Sequence, residues 1–196
     1  MNKAKKEITD MLIVGVGGQG AILTSRVIGH VMQGKGLDVK ISEIHGMAQR
    51  GGSVVSQVRF GECVHSPIII PGTADIILAF ERLEALRYLP WLKKGGVVIV
   101  NDQRIDPMPV ITGNSAYPQG IVRKIEESGA SVICVDALAK AREAGNAKSF
   151  NVVLLGLLSR HLGFEDELWL EALRQWVAPS LLEVNLAAFR AGKSLV

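Results

Sequence analysis

Residues 11–20 read MLIVGVGGQG, an apolar run that closes on four glycines within six positions. Such a run, apolar on both alternations and stopped by glycine, predicts a strand buried on both faces. From Ala21 onward, Ile22, Leu23, Val27, Ile28, Val31 and Met32 recur at helical spacing, and Gly34 and Gly36 stop the helix. Strand, glycine turn and helix in direct succession restrict the chain to folds that begin a crossover at residues 15–20. Residues 37–44 then form a second strand, which predicts one βαβ unit of ordinary length.

The alternation continues. Residues 53–60 read as a third strand with Gly61 and Glu62 at its turn, and 66–71 as an apolar edge segment bounded by prolines. Strands are predicted at 75–80, 97–100 and 131–135. Helices are predicted over 81–94, broken or kinked at Pro90 and ended by lysines and Gly95-Gly96, and over 119–128, with a proline-interrupted loop at 106–118. The remainder reads as helical: 137–144, 151–162, and 165–191 with a break near Pro179. The expected class is α/β: a single Rossmann-like domain over residues 1–196, its sheet mainly parallel and flanked by helices, with a helical C-terminus. Residues 1–9 are expected to be a flexible tail. Leu168, Trp169, Leu170, Leu173, Trp176 and Leu181 form an apolar stripe suited to core, with a subunit interface as its other use.

Composition narrows the function classes. At 196 residues the chain can bury one substantial core, and 48% hydrophobic with 21% charged residues excludes disorder. A net charge of +3, with Lys3, Lys5 and Lys6 at the start, gives no nucleic-acid surface. Two distant cysteines, Cys63 and Cys134, encode neither a disulfide framework nor a cysteine-ligated cluster. Cys63 and His65 offer two metal ligands but no second pair nearby. With no signal-peptide core and no apolar run of membrane-spanning length, a cytoplasmic protein without membrane contact is expected.

Two glycine clusters carry the candidate site. GVGGQG matches GxGxxG through Gly15, Gly17 and Gly20: a tight turn, close approach to a phosphate, and helix–sheet contact. Amides around Gly17, Gly18, Gln19 and Gly20 at a helix start favour an anion. Glu43 ends strand two, where a Rossmann domain keeps its ribose-binding acid. Dinucleotide binding and a ligand-free tight turn both remain open. The second cluster, residues 45–52, brings His45, Gln49, Arg50, Gly51 and Gly52 into one loop. Arg50 can make a forked contact with phosphate or carboxylate, and Gly51-Gly52 can expose amides to the same anion. A salt bridge of Arg50 at a subunit contact, with His45 as a packing residue, is the other use.

GVGGQG followed by SEIHGMAQRGGSVVSQVRFG at 42–61 resembles the gamma-type domain of the 2-oxoacid:ferredoxin oxidoreductases, and within them the indolepyruvate branch. ADIILA at 74–79, ERLEAL at 81–86 and NVVLLG at 151–156 are similar to the same family, so the likeness spans roughly residues 10–156. The resemblance implies oxidative decarboxylation of a 2-oxoacid, electron transfer to ferredoxin and acyl transfer to coenzyme A, with aryl pyruvates giving arylacetyl-CoA in that branch. It implies that thiamine diphosphate and iron–sulfur clusters lie on a large alpha subunit, and that this chain is inactive alone and contributes coenzyme A binding and assembly. Glu43 then orients His45 or the following loop instead of a ribose. The alternatives are a self-sufficient NAD(P)-binding Rossmann oxidoreductase and a non-catalytic assembly protein. An isolated chain could also pair with itself as a homodimer.

Overall fold

The computed structural model describes residues 8–46 and 51–195. Six strands form one sheet: β1 (Thr9–Val16), β2 (Asp38–His45), β3 (Ser53–Gly61), β4 (Ala74–Ala79), β5 (Leu92–Asn101) and β6 (Ser131–Val135), in the order β2-β3-β1-β4-β5-β6. The helices are α1 (Ala21–Gly34), α2 (Arg82–Tyr88), α3 (Met108–Ile111), α4 (Ile121–Glu127), α5 (Ala137–Glu143), α6 (Phe150–Leu162), α7 (Asp166–Trp176) and α8 (Leu182–Lys193). The α/β class, the mainly parallel sheet and the helical C-terminus are as expected. β1 starts at Thr9, one residue inside the stretch expected as tail.

Strand alternation divides the core into two layers. Met11 and Ile13 of β1 face one side of the sheet with Val58, Ile76, Leu78 and Ile99, under α1, α5, α6, α7 and α8. Leu12 and Val14 face the other side with Ile77, Ala79, Val98 and Val100, under α2 and α4. The period of two along β1, apolar on both sides, is what a central strand requires.

Three expectations change. β2 does not lie beside β1. β3 runs antiparallel to both and sits between them, so the first βαβ unit is split by an inserted strand. The helix expected over 81–94 stops at Tyr88. Residues 89–91 make a 3₁₀ turn around Pro90, and Leu92, Lys93 and Lys94 begin β5. Proline at the second position of a short 3₁₀ turn ends the helix cleanly, because the ring supplies no amide to continue it. Residues 66–71 form no strand. Arg59 donates to the carbonyls of Ser66 (3.0 Å) and Ile68 (3.1 Å), and the Ile69 amide donates to Gln57 Oε1 (2.6 Å), so side chains hold this segment in place of a ladder. The loop at 106–118 also contains the one-turn α3.

Of the C-terminal stripe, Trp169 and Leu173 are buried, Leu168 and Leu170 are half-buried, and Trp176 and Leu181 are exposed. The stripe is therefore chiefly core. Its setting is the crossing of α6 and α8. α6 is buried at every position from Phe150 to Ser159. A Cβ at Gly192 would fall on the Val153 carbonyl, and one at Gly156 on the Phe189 carbonyl. The two backbones touch, and neither carbonyl can move without breaking its helix. Gly156→Ala and Gly192→Ala should each lower the unfolding free energy by about 1–3 kcal/mol. The check is a lower urea midpoint at unchanged slope.

Candidate functional site

The carboxyl end of β1 turns into α1 through Gly17, Gly18, Gln19 and Gly20. Gly18 and Gly20 have φ of +98° and +89°, the left-handed region that glycine enters without steric cost. A Cβ at Gly20 would also collide with the Asn151 side chain. Gly18, in contrast, faces open space. Gly20 caps α1, and with no side chain it offers the first-turn amides no side-chain acceptor. No acidic residue occupies that turn. Among the described residues no side chain caps these first N–H groups, and the positive end of the helix dipole is directed at whatever lies in front.

A cleft of about 400 Å³ lies in front of that start. Gly17, Gly18, Gln19, Gly20, Ala21 and Ile22 line one wall; Glu43, Ile44 and His45 from β2, with Val54, Val55 and Ser56 from β3, line the other. The inserted β3 thus separates the glycine loop from Glu43 by two strand spacings, roughly 10 Å. The neighbouring β1 and β2 tips of a dinucleotide fold are absent, although both residues face one cleft. Ser25 Oγ donates to Glu43 Oε1 (3.0 Å), drawing the carboxylate toward α1. His45 is exposed, with Nδ1 3.3 Å from the Gly46 carbonyl.

The two glycine clusters meet. Gly17 N donates to the Gly52 carbonyl (2.8 Å), so this amide is engaged with protein and unavailable to a ligand. Ser53, the next residue, donates to the buried Glu84 carboxylate, which also accepts from Arg87 Nε (3.1 Å). These contacts fix the exit of the second loop beside the first. Gly51 is exposed at φ +78°. Gln49 and Arg50 lie outside the described residues.

Gly15 and Gln19 serve the scaffold. The Gln19 side chain folds back so that Oε1 accepts from Val16 N (2.7 Å) and Nε2 faces the Phe80 carbonyl (3.3 Å). A Cβ at Gly15 would stand 2.8 Å from that Oε1 and 3.0 Å from Phe80 Cβ, so Gly15 makes room for the fold-back. Several residues of the site escaped the sequence reading. Ile22 and Ile44 are 50% and 52% exposed and give the cleft an apolar rim. Helical and strand periodicity assign such residues to a core, and only the split βαβ unit leaves them uncovered.

Behind this edge lies a buried polar cluster. Glu81, 1% exposed, accepts from Tyr117 Oη (2.6 Å), Ile105 N (3.1 Å) and Glu84 N (3.0 Å). Burial, and then the hydrogen bond to Glu81, push the Tyr117 phenol well above the ordinary range. Cys63 follows β3 and Cys134 lies in β6 with three strands between, about 19 Å at the usual strand spacing, so their thiols cannot share a cluster. Among the described residues no group of three or more His, Cys, Asp or Glu could hold a metal ion, and no helix is long and apolar enough to cross a membrane.

Residues 10–195 match the family model described as pyruvate ferredoxin/flavodoxin oxidoreductase. The chain is 43% identical over 188 residues to the indolepyruvate oxidoreductase subunit IorB of Thermococcus kodakarensis, covering 93% of each chain. Its fold is similar to the gamma subunit of a keto/oxoacid ferredoxin oxidoreductase from Geobacter sulfurreducens, with TM-score 0.71, 22% identity, and 95% and 96% of the two chains covered. It is also similar to the 2-oxoglutarate:ferredoxin oxidoreductase of Magnetococcus marinus, solved with 2-oxoglutarate, coenzyme A and succinyl-CoA bound. There the TM-score is 0.74 at 22% identity, covering 97% of this chain and 31% of that one.

The phenol supplies a pH test. Above pH ~10 the unfolded chain releases the Tyr117 proton while the folded chain keeps it, so the unfolded state binds fewer protons and stability falls as pH rises. Tyr117→Phe should flatten that fall by at most about 1.4 kcal/mol per pH unit, measured by denaturation between pH 9 and 11.

Proposed function

Because the chain belongs to the pyruvate ferredoxin/flavodoxin oxidoreductase family, we propose that it is the small subunit of an indolepyruvate-type 2-oxoacid oxidoreductase, and that its cleft binds part of coenzyme A. The assembled enzyme converts an aryl pyruvate, coenzyme A and oxidised ferredoxin into arylacetyl-CoA, carbon dioxide and reduced ferredoxin. Thiamine diphosphate and the iron–sulfur clusters belong to the large subunit. The two separated cysteines of this chain do not fit a cluster.

The observation that carries the reading is the uncapped start of α1 opening into the cleft. Amides at Gly18, Gly20 and the first turn of α1 suit a phosphate of the carrier, where dipole and donors act together. A volume of about 400 Å³ is at the small end of the range for ligand pockets. The cleft therefore holds part of a long molecule, and the remainder extends toward the large subunit. Ile22 and Ile44 offer apolar contact for the pantetheine arm, while the thiol leaves the cleft for the acyl group made elsewhere. The work of this subunit is orientation: a carrier held by its phosphates presents its thiol at high effective concentration. Arg50 and Gln49 belong to the same loop and are candidates for the ligand or the subunit boundary. The wide separation of Glu43 from the glycine loop argues against a nicotinamide dinucleotide.

Isothermal titration of the assembled complex with coenzyme A tests this. Gly18→Asp sets a carboxylate at the mouth of the anion site and should weaken binding by at least about tenfold. Unchanged affinity in a folded variant would remove the loop from the site. Separately, the isolated chain should give no indolepyruvate- and coenzyme A-dependent dye reduction, and coexpression with the large subunit should restore it. Turnover by the isolated chain would overturn the division of labour.

A further inference from the structure

Behind the glycine loop, three amide side chains cross the carboxyl ends of three neighbouring parallel strands. Gln19 follows β1, Asn101 ends β5, and Gln103 lies two residues beyond; the Phe80 carbonyl, just past β4, sits among them. Asn101 is fully buried, and Gln19 and Gln103 are half-buried.

The direction of each amide follows from the backbone groups it meets. Gln19 Oε1 faces a donor, Val16 N (2.7 Å), so its Nε2 faces the Phe80 carbonyl (3.3 Å). Asn101 Oδ1 accepts from Ala137 N (3.0 Å), so its Nδ2 faces the same carbonyl (3.2 Å). Both nitrogens then point at Gln103 Oε1, from 3.4 Å and 3.0 Å. Backbone donors and acceptors cannot exchange roles, so only one arrangement of O and N satisfies the set. The main chain of Gln103 is held as well: its N donates to the Asn101 carbonyl (2.7 Å), and its carbonyl accepts from Arg82 N (3.1 Å).

We propose that Gln103 is a positioning residue for the glycine loop: its side-chain carbonyl, by accepting from Gln19 and Asn101 together, sets the Gln19 amide and so the conformation of residues 16–20. Gln19 is the only link in this set that belongs to the loop, and its fold-back is what Gly15 makes room for. Without the Gln103 acceptor, Gln19 Nε2 loses one of two contacts of similar length and keeps the other, to a carbonyl already used by Asn101. The loop then samples conformations in which its amides no longer converge. The inference deepens the coenzyme A reading and rests on it for the affinity measurement, but the loop itself can be followed without ligand.

The test compares Gln103→Leu, which removes the acceptor, with Gln103→Glu, whose carboxylate accepts from both nitrogens. Amide hydrogen exchange at Val16, Gly17 and Gln19, whose N–H groups bond Gln19 Oε1, the Gly52 carbonyl and the Val16 carbonyl, should quicken about tenfold in the full-length Gln103→Leu chain and stay within about twofold of wild type in Gln103→Glu. In the assembled complex, Gln103→Leu should raise the KM for coenzyme A by a similar factor with kcat at saturation unchanged, and Gln103→Glu should restore it. Gln103→Ser, too short to reach either amide, replaces the leucine variant if that fails to fold and should behave as it does. Equal behaviour of the leucine and glutamate variants, or wild-type exchange in both, would overturn the inference. Quickened exchange in a complex whose wild type does not bind coenzyme A would leave Gln103 its role and remove the coenzyme A reading instead.

Discussion

The hydrogen bond from Gly17 N to the Gly52 carbonyl closes the distance between two loops that lie 35 residues apart in the chain. It exists because β3 runs antiparallel beside β1, ending the register with Val16 opposite Ser53. From that pairing follow the shape of the cleft, the exposure of its isoleucines and the removal of one amide from the set that can meet an anion. A parallel β1–β2 neighbourhood would have produced a narrower crevice with Glu43 beside the glycine turn. The inserted strand widens it and gives it a second wall.

The same edge shows how a flexible sequence is made stiff. Four glycines in six positions would cost conformational entropy if ordered only on ligand binding. Here the order exists beforehand: Gln19 reaches back to Val16, Gly20 accepts from Thr24 and Asn151, and Gly17 bonds the second loop. Asn151 stands at the start of the buried α6, so the position of the loop is tied to the crossing of α6 with α8 on the covered face of the sheet. Packing far from the cleft therefore bears on its geometry.

Much of this was legible in the chain, and the failures have physical causes. The glycine turn between β1 and α1, the strands at 131–135 and near 53–60, and the helical tail broken near Pro179 announce themselves by period and by turn chemistry. Strand direction does not: alternation in residues 53–60 is the same whichever way the strand runs, so the split of the βαβ unit was hidden. Lys93, Lys94, Gly95 and Gly96 resemble a helix end because that composition is favoured there, yet they open β5. Gln103 carried no signal. Its importance comes from contacts with Gln19 and Asn101, which no local pattern encodes. In the loop at 45–52 the chemistry of His45 was readable, and its engagement with Gly46 was not.

β2 ends the sheet, and its outer row of N–H and C=O groups meets no further strand among the described residues. Eight residues of open edge would invite stray sheets to add on. Asp38 and Lys40 pair along it at 2.6 Å, and Glu43 and His45 follow. Charge at Asp38, Lys40 and Glu43 makes desolvation costly for any incoming strand, which gives the chain a built-in deterrent against self-polymerisation during the interval between its synthesis and its incorporation.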